Sequence, residues 1–343
     1  MRQTPFTRTL PTVLLLLLTG LSSLFMGTRC DSAEIAPFQT ANQSPLILIY
    51  GLPAAERSIL LPARKTAGMI TVDIASNFAS STAGDEKILL DGESYRTTLV
   101  FRHGFSEKIE GGVDIPFIGH GGGTFDSFIE GWHDFFGLPE GGREDAPRNR
   151  LLYSYSKGGN EVLRMDDSEF GLGDIRLSGG IQLYNDQSPN PRALALRGSL
   201  KLPTGSSSRL HGSGSTDLAL WLTASDDYAL PLGHGTLFGA AGGMILTDGD
   251  VLRDRQKNLA GFGSLGFGWA PAEWIALKVQ ASGHTAFYTG SELNELGSTA
   301  VQLLMGGTLY FPGNISLDMG VSEDIAVDTS SDVALHLALR KIF

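Results

Sequence analysis

The chain has 343 residues, a formal net charge of −11, 18% charged residues, 44 glycines and one cysteine. A single cysteine excludes a disulfide-stapled scaffold and a metal site built from several cysteines. The acidic balance argues against nucleic acid as a partner, because phosphate binding requires a basic surface.

The first predicted element is a signal peptide over residues 1–33. Two arginines precede an apolar run that begins at Val13, and small and polar residues follow it. A charged start with a short apolar middle is typical of a cleaved signal peptide, and we place cleavage within residues 28–33. Cys30 leaves lipidation as an alternative, although Gly-Thr-Arg is a poor match to the residues expected before a lipidated cysteine.

Residues 34–66 form a second segment, which lacks a strand pattern. It holds one apolar run at 46–50 and prolines at positions 37, 45, 53 and 62. Proline donates no ladder hydrogen bond, so these residues make a poor strand. We expect a periplasmic N-terminal segment, with a position tucked into the mouth of a barrel as the alternative.

Residues 67–343 contain about a dozen segments in which apolar and polar positions alternate. The last segment carries Leu335, Leu337 and Leu339 in one row, with His336 and Arg340 in the other. A period of two over this length predicts an all-β fold, a transmembrane antiparallel β-barrel of about 12 strands. We expect the charged residues of the opposite rows to face the lumen: Asp73, Arg96, Arg102, Glu110, Asp114, Asp174, Arg176, Arg197, Lys201, Asp217, Lys278, Asp318 and Arg340.

A soluble sandwich would show the same alternation, so two other features are needed to distinguish it from a membrane barrel. The predicted connections alternate between long ones, such as 79–94 and 119–171, and short ones, such as 271–273. Aromatic residues collect near the strand ends, Trp274 at the short turns and Phe262 and Phe287 near the long loops. Both features indicate an outer-membrane barrel.

The final strand ends on Phe343 and resembles the terminal signature by which bacterial outer-membrane barrels are recognised by their assembly machinery. Phe343 is therefore the candidate assembly signal. We expect outer-membrane lipid and lipopolysaccharide as further partners.

Several motifs carry a wider resemblance. The motifs GLGDIRL at 171–177 and KLPTG at 201–205 resemble outer-membrane proteins loosely grouped with phenol-degradation gene clusters. The chain is also similar to an uncharacterised proteobacterial outer-membrane family, domain of unknown function 3187, in LLDGE, HGGG, FIEGWHD, STDLALW and VSEDIAVD. This resemblance implies the outer membrane of a Gram-negative bacterium and supplies no catalytic residues. The looser resemblance, to the proteins grouped with phenol-degradation gene clusters, implies transport of aromatic solutes.

The long extracellular loop 119–171 is predicted to contain a short amphipathic helix that follows Thr124 as its N-cap. This helix would cap the barrel mouth or gate a solute path. The gate candidates are its apolar residues Phe125, Phe128, Ile129, Trp132 and Phe136.

The sequence motifs for a metal site or a catalytic site are weaker than the pattern that predicts the barrel. His120, His133 and Asp134 do not match a zinc spacing, and the acidic loops do not match a calcium loop, so we expect no metal and no cofactor. His211 and Ser213 are two residues apart, as in outer-membrane phospholipases, but no orienting Asn or Asp can be assigned.

About twelve strands lie between the eight that side chains nearly fill and the sixteen that leave an aqueous channel. We therefore expect a narrow channel or transporter for small solutes, hydrophobic or aromatic ones among them. The alternatives are a non-conducting structural or assembly protein and, after it, a lipid-acting hydrolase. We expect no enzymatic activity.

Overall fold

The computed structural model describes residues 34–123, 149–186, 188–325 and 329–343. In chain order its strands are β1 (Thr66–Ala83), β2 (Glu86–Ser106), β3 (Ile109–Gly121), β4 (Leu152–Lys157), β5 (Asn160–Met165), β6 (Glu169–Leu172), β7 (Arg176–Asn185), β8 (Arg192–Lys201), β9 (Asp217–Ala229), β10 (His234–Leu246), β11 (Leu259–Ala272), β12 (Ile275–His284), β13 (Ala300–Phe311), β14 (Ile315–Asp324) and β15 (Val333–Ile342). All except β4, β5 and β6 close into one antiparallel barrel of twelve strands. The predicted fold class is confirmed.

The barrel closes at a seam between its first and last strands. β1 and β15 pair antiparallel from Ala67 opposite Ile342 to Ser76 opposite Val333. With an even strand count both ends of the barrel chain lie on one side, where the Phe343 N–H donates to the Thr66 carbonyl oxygen at 2.8 Å. We call this side the short-turn end and the opposite side the long-loop end.

The two faces of the barrel wall differ sharply in polarity. On the outer face Leu220 is 56% exposed and Leu265 is 61% exposed, whereas on the inner face Asp217 and Lys201 are each 2% exposed. A water-soluble protein would bury the apolar row and expose the charged one. The observed arrangement requires hydrocarbon around the barrel, and the fold is that of an outer-membrane β-barrel.

An arginine on this outer face should destabilise the barrel in proportion to its depth. Leu222 lies near the middle of β9, and Leu232 lies in the short turn after it; both are exposed. We expect Leu222→Arg to cost about 2–4 kcal/mol of unfolding free energy and Leu232→Arg about 0–1 kcal/mol. Equilibrium urea unfolding in phospholipid vesicles measures both values, and equal costs would contradict the membrane depth assigned to β9.

The long-loop end is more ordered than the sequence suggested. The predicted loop 79–94 is wrong: β1 and β2 continue beyond the barrel rim and turn at Gly84, whose φ is +56°. The extension is stabilised because β2 pairs with β4, from Glu86 opposite Lys157 to Asp91 opposite Leu152, and β4 pairs with β5. β6 pairs with the upper part of β3.

Helical structure is sparse in the described ranges. They contain one short helix, α1 (Asn294–Gly297), between β12 and β13, and 3₁₀ turns at Ser207–Arg209 and Arg253–Arg255. The part of the chain that the structure describes contains no helix long and apolar enough to cross a membrane. The predicted amphipathic helix falls on residues outside the described ranges.

The aromatic pattern is confirmed at one end only. Tyr184, Trp274 and Phe343 are exposed at the short-turn end, as an interfacial belt requires. The prediction of an aromatic belt at the long-loop end is partly wrong, because Phe287 is fully buried and Phe262 contacts Trp221 inside the barrel.

Candidate functional site

Residues 34–65 lie inside the barrel, and we call them the plug segment. The predicted periplasmic position of this segment is therefore incorrect, whereas the alternative of a barrel mouth is closer to the observed one. From Glu34 at the short-turn end the segment rises through the lumen, turns at residues 44–50, and descends to β1. Among the described residues, it contributes no strand to the sheet.

The rising arm of the plug segment binds inner side chains of β12. The Phe38 N–H donates to Gln280 Oε1 at 2.9 Å, and Lys278 Nζ donates to the Ala36 carbonyl oxygen at 3.0 Å. The same ammonium lies 4.0 Å from the centre of the Phe38 ring, within cation–π distance. Asn42 Nδ2 lies 2.9 Å from His284 Nε2. Polar lumen groups thus find their partners on the plug segment.

The turn of the plug segment closes the long-loop end with apolar side chains. Tyr50 stacks on Phe287 with ring centres 4.7 Å apart, and the Tyr288 hydroxyl donates to the Leu46 carbonyl oxygen at 2.8 Å. Residues 46–50 pack in one buried cluster with side chains from the loops above. At about 25 cal/mol per Å², such burial is the main force that holds this turn in place.

The descending arm carries the principal ionic contact of the plug segment. Glu56 lies between two arginines: Arg102 Nη2 donates to Oε1 at 3.0 Å, and Arg197 Nη1 donates to Oε2 at 2.6 Å. Below it the Leu61 N–H donates to Glu110 Oε2 at 2.8 Å, and above it the Gly51 N–H donates to Asp217 Oδ2 at 2.7 Å. Glu56 is 7% exposed, so these charges are poorly screened by water.

All thirteen lumen candidates lie on the inner face, and most join three groups. Asp114, Glu110, Arg102, Arg176 and Arg197 surround Glu56. A second group joins Lys201 to Asp174 and Asp217, and a third pairs Lys278 with Asp318. Asp73 contacts His336 Nδ1 at 2.7 Å. Among the described residues, Arg96 and Arg340 have no hydrogen-bond or ion-pair partner, and each lines a cavity.

The lumen candidates did not include Gln182, Gln280 or His336, although His336 lies in the polar row of the last strand, and sequence reasoning missed the polar partners on the plug segment. Gln182, Gln280 and His336 occupy inner positions of their strands, where the alternation already placed polar residues. The alternation therefore predicts the face on which these side chains lie, but it does not predict their hydrogen-bond partners. Glu56 and Asn42 belong to a segment without periodicity, and no local signal places them in the lumen.

The group formed by Lys201, Asp174 and Asp217 explains why His211 and Ser213 do not form a catalytic pair. Ser213 is fully buried, and Lys201 Nζ donates to its Oγ at 2.5 Å. His211 stacks on His120 instead, and its buried Nε2 has no hydrogen-bond partner among the described residues. Burial, together with the charge of Arg209, lowers the pKa of His211. A serine that faces a paired ammonium lacks the base that hydrolysis requires.

A second anchored cluster holds the loops at the long-loop end. Glu86 accepts hydrogen bonds from the Tyr155 hydroxyl, Ser291 Oγ and the Glu292 N–H, and it pairs with Arg255 at 2.5 Å. Burial by itself would raise the pKa of this carboxyl, but the hydrogen bonds and the guanidinium lower it to about 2. Glu86 is therefore ionised at neutral pH and joins three separate loops.

One group of predicted residues lies outside these clusters. The gate candidates Phe125, Phe128, Ile129, Trp132 and Phe136 fall outside the described residues. In the described ranges no three His, Cys, Asp or Glu side chains are grouped as a metal site would need.

The plug segment leaves cavities of unequal size. Two mid-lumen cavities measure about 30 Å³ each, enough for a water molecule or two; one is lined by Leu52, Trp221 and Phe262, the other by Arg96 and Asp114. A cavity of about 360 Å³ lies at the short-turn end, between the plug segment and β1, β13, β14 and β15.

Comparison with solved structures finds the same fold in one outer membrane channel and a lower similarity to two further structures. The COG4313 outer membrane channel from Pseudomonas putida F1 is 13% identical with a TM-score of 0.52, and the match covers 83% of this chain and 98% of that one. The translocator domain of the autotransporter NalP from Neisseria meningitidis is 10% identical, with a TM-score of 0.39 and coverage of 82% and 90%. The CymD monoaromatic hydrocarbon channel is 11% identical, with a TM-score of 0.36 and coverage of 90% and 95%.

Sequence comparison gives a more direct assignment. No curated protein sequence matches the chain. The model of one family, described as "Protein of unknown function (DUF3187)", matches residues 14–343. The resemblance seen in the sequence motifs extends over almost the whole chain, and the protein belongs to the DUF3187 family.

Proposed function

We propose that this protein is an outer-membrane channel for small solutes, closed in the observed state by its plug segment. The observation that carries the proposal is that residues 34–65 fill the lumen without joining the sheet of the described barrel. Leaving the lumen would break side-chain contacts and, at residues 64 and 65, two backbone hydrogen bonds to Gly104, but no pairing along a strand of the described sheet. The COG4313 structure, which shares the fold, is itself an outer membrane channel.

The inner surface favours solutes that are partly apolar. The mid-lumen cavity beside the plug segment presents Leu52, Trp221 and Phe262, and the larger cavity presents Met69 and Leu61. Mostly apolar cavities with a few fixed polar groups are typical of sites for small organic molecules. Small hydrophobic or aromatic solutes are therefore the proposed class.

The proposal includes the cellular setting. Residues 1–33 would be cleaved as a signal peptide on export, and the strand that ends at Phe343 would engage the assembly machinery of the Gram-negative outer membrane. Lipopolysaccharide would surround the long-loop end, and the loop residues from Phe125 to Phe136 would act as a further gate. No enzymatic activity is proposed.

A non-conducting structural or assembly protein is the second candidate. The observation that favours it is the dense packing of the interior, where Phe38 is fully buried and Ile49 is 1% exposed. A filled barrel that never opens would explain this packing equally well. The two candidates differ in one property, the ability of the plug segment to move.

A reversible lock on the plug segment tests this property. Ser58 Oγ on the plug segment donates to Ser225 Oγ on β9 at 2.6 Å, which suits a disulfide in the double variant Ser58→Cys/Ser225→Cys. The mature chain would lack other thiols, since Cys30 lies in the predicted leader. We expect oxidation to abolish the flux of small aromatic solutes into proteoliposomes and reduction to restore it.

The single variant Ser225→Cys is the matched control and should show the same flux in both redox states. Equal flux through the oxidised and reduced double variant would show that conduction does not require movement of the plug segment. Absence of flux under every condition, including reduction, would favour the non-conducting candidate.

A further inference from the structure

The cavity at the short-turn end is larger than the two mid-lumen cavities. Its volume of about 360 Å³ is that of a site for a small organic molecule. The plug segment forms one wall through Ile59 and Leu61, and Met69 of β1 and Tyr310 of β13 contribute to the opposite wall. The Tyr310 hydroxyl donates to the Glu34 carbonyl oxygen at 2.8 Å, so its polar atom is already satisfied.

Most charged groups that line this cavity already have a partner in the protein or are solvated by water. Arg57 forms an ion pair with Glu34. Asp318 accepts hydrogen bonds from Lys278 Nζ, at 3.1 Å, and from Thr308 Oγ1. Lys65 lies exposed at the rim, where water solvates its ammonium group. None of these groups needs a ligand to satisfy it.

Arg340 is the exception. It projects from the inner face of β15 into the cavity, opposite Met69 in the β1–β15 register and Ser316 in the β14–β15 register. Within the described chain its guanidinium forms no hydrogen bond and no ion pair. Glu110 and Asp318 attract it electrostatically, but both carboxylates are hydrogen-bonded to other groups. A partly buried guanidinium without a partner is costly, and a carboxylate is its best geometric match.

We propose that this cavity binds a small monocarboxylate with an apolar body, its carboxylate on Arg340 and its apolar part against Ile59, Leu61 and Met69. An aromatic acid or a medium-chain fatty acid has this chemistry. The inference rests on the proposed function, because it assigns a solute class to the proposed channel. Equilibrium binding tests it separately from conduction.

The experiment uses 4-fluorobenzoate as the probe and the mature full chain in lipid nanodiscs, with empty nanodiscs as the blank. Fluorine NMR line broadening should report saturable binding to the wild-type protein. We expect Arg340→Gln to weaken binding at least tenfold and 4-fluorobenzamide, which lacks the charge, to bind at least tenfold more weakly to wild type. Arg192→Gln, which removes an exposed arginine at the same end, should bind as wild type does.

A second variant keeps the test decisive if Arg340→Gln does not fold. Met69→Trp fills the cavity and leaves the guanidinium in place, so it should lose 4-fluorobenzoate binding while retaining the heat-modifiable migration of a folded barrel. Absence of saturable binding to wild type, equal binding to Arg340→Gln, or equal binding of the benzamide would overturn the proposal. Saturable binding without any conduction would refute the channel and leave this site intact.

Discussion

Glu56→Gln is expected to release the plug segment and raise the open probability of the barrel by about two orders of magnitude. Glu56 is the carboxylate that joins the plug segment to both Arg102 and Arg197. Removing one member of a buried ionic group costs about 3–5 kcal/mol, since the remaining charges lose a partner that water does not replace. A 3 kcal/mol change in a two-state equilibrium shifts the populations by roughly 150-fold.

The barrel itself should survive this change. Arg102 retains Asp114, and Arg197 retains Glu110, so each arginine keeps one carboxylate on the wall. The loss therefore falls on the attachment of the plug segment more than on the sheet. Single-channel recording in planar bilayers measures the open probability, and limited proteolysis from the short-turn side measures exposure of residues 34–65.

A matched substitution on the surface provides the control. Glu161 pairs with Arg164, but both side chains are about half exposed, at 52% and 48%. Surface pairs of this kind contribute about 0–1 kcal/mol, so Glu161→Gln should leave conductance and proteolysis unchanged. If Glu56→Gln leaves the plug segment as protected as in wild type, its attachment depends on the apolar turn at residues 46–50 instead.

The barrel was predictable from the sequence because strand geometry is a local property. A period of two assigns each residue to one face regardless of which strand lies beside it, so the alternation alone predicts one shared face for Asp73, Lys201 and Asp318 without any knowledge of pairing. Closure of a barrel pairs its first strand with its last, and an even strand count makes the pairing of β1 with β15 antiparallel. Neither inference requires knowledge of distant contacts.

The plug segment and the extracellular strands depended on distant contacts. Asn42 donates to the Thr329 carbonyl oxygen across 287 positions of the chain, and no periodicity in residues 34–65 anticipates that bond. β4 did carry a weak signal, because Tyr153 and Tyr155 alternate with serines. This short alternation does not predict a strand by itself inside a long loop, because β4 becomes stable only when β2 extends beyond the rim to pair with it.

Lys201→Met is expected to destabilise the long-loop half of the barrel by about 3–5 kcal/mol, the cost of breaking a buried ion pair. Lys201 Nζ donates to Asp174 Oδ2 at 2.6 Å and to Ser213 Oγ at 2.5 Å, and it lies 3.3 Å from Asp217 Oδ2. Methionine preserves the length of the side chain but leaves two carboxylates buried without a cation. Loop 202–216 and the plug segment, both held by these carboxylates, should loosen together.

The temperature at which the folded band is lost in semi-native electrophoresis, together with urea unfolding in vesicles, measures the effect of Lys201→Met. Lys87→Met, at an exposed position of the β2 extension, should stay within about 0.5 kcal/mol of wild type. Adding Asp217→Asn to Lys201→Met removes one of the two uncompensated charges and should recover part of the loss, since the two sites are coupled. Additive losses in the double variant would show that Lys201 acts through its packing and not through its charge, and the ionic account of this cluster would then be wrong.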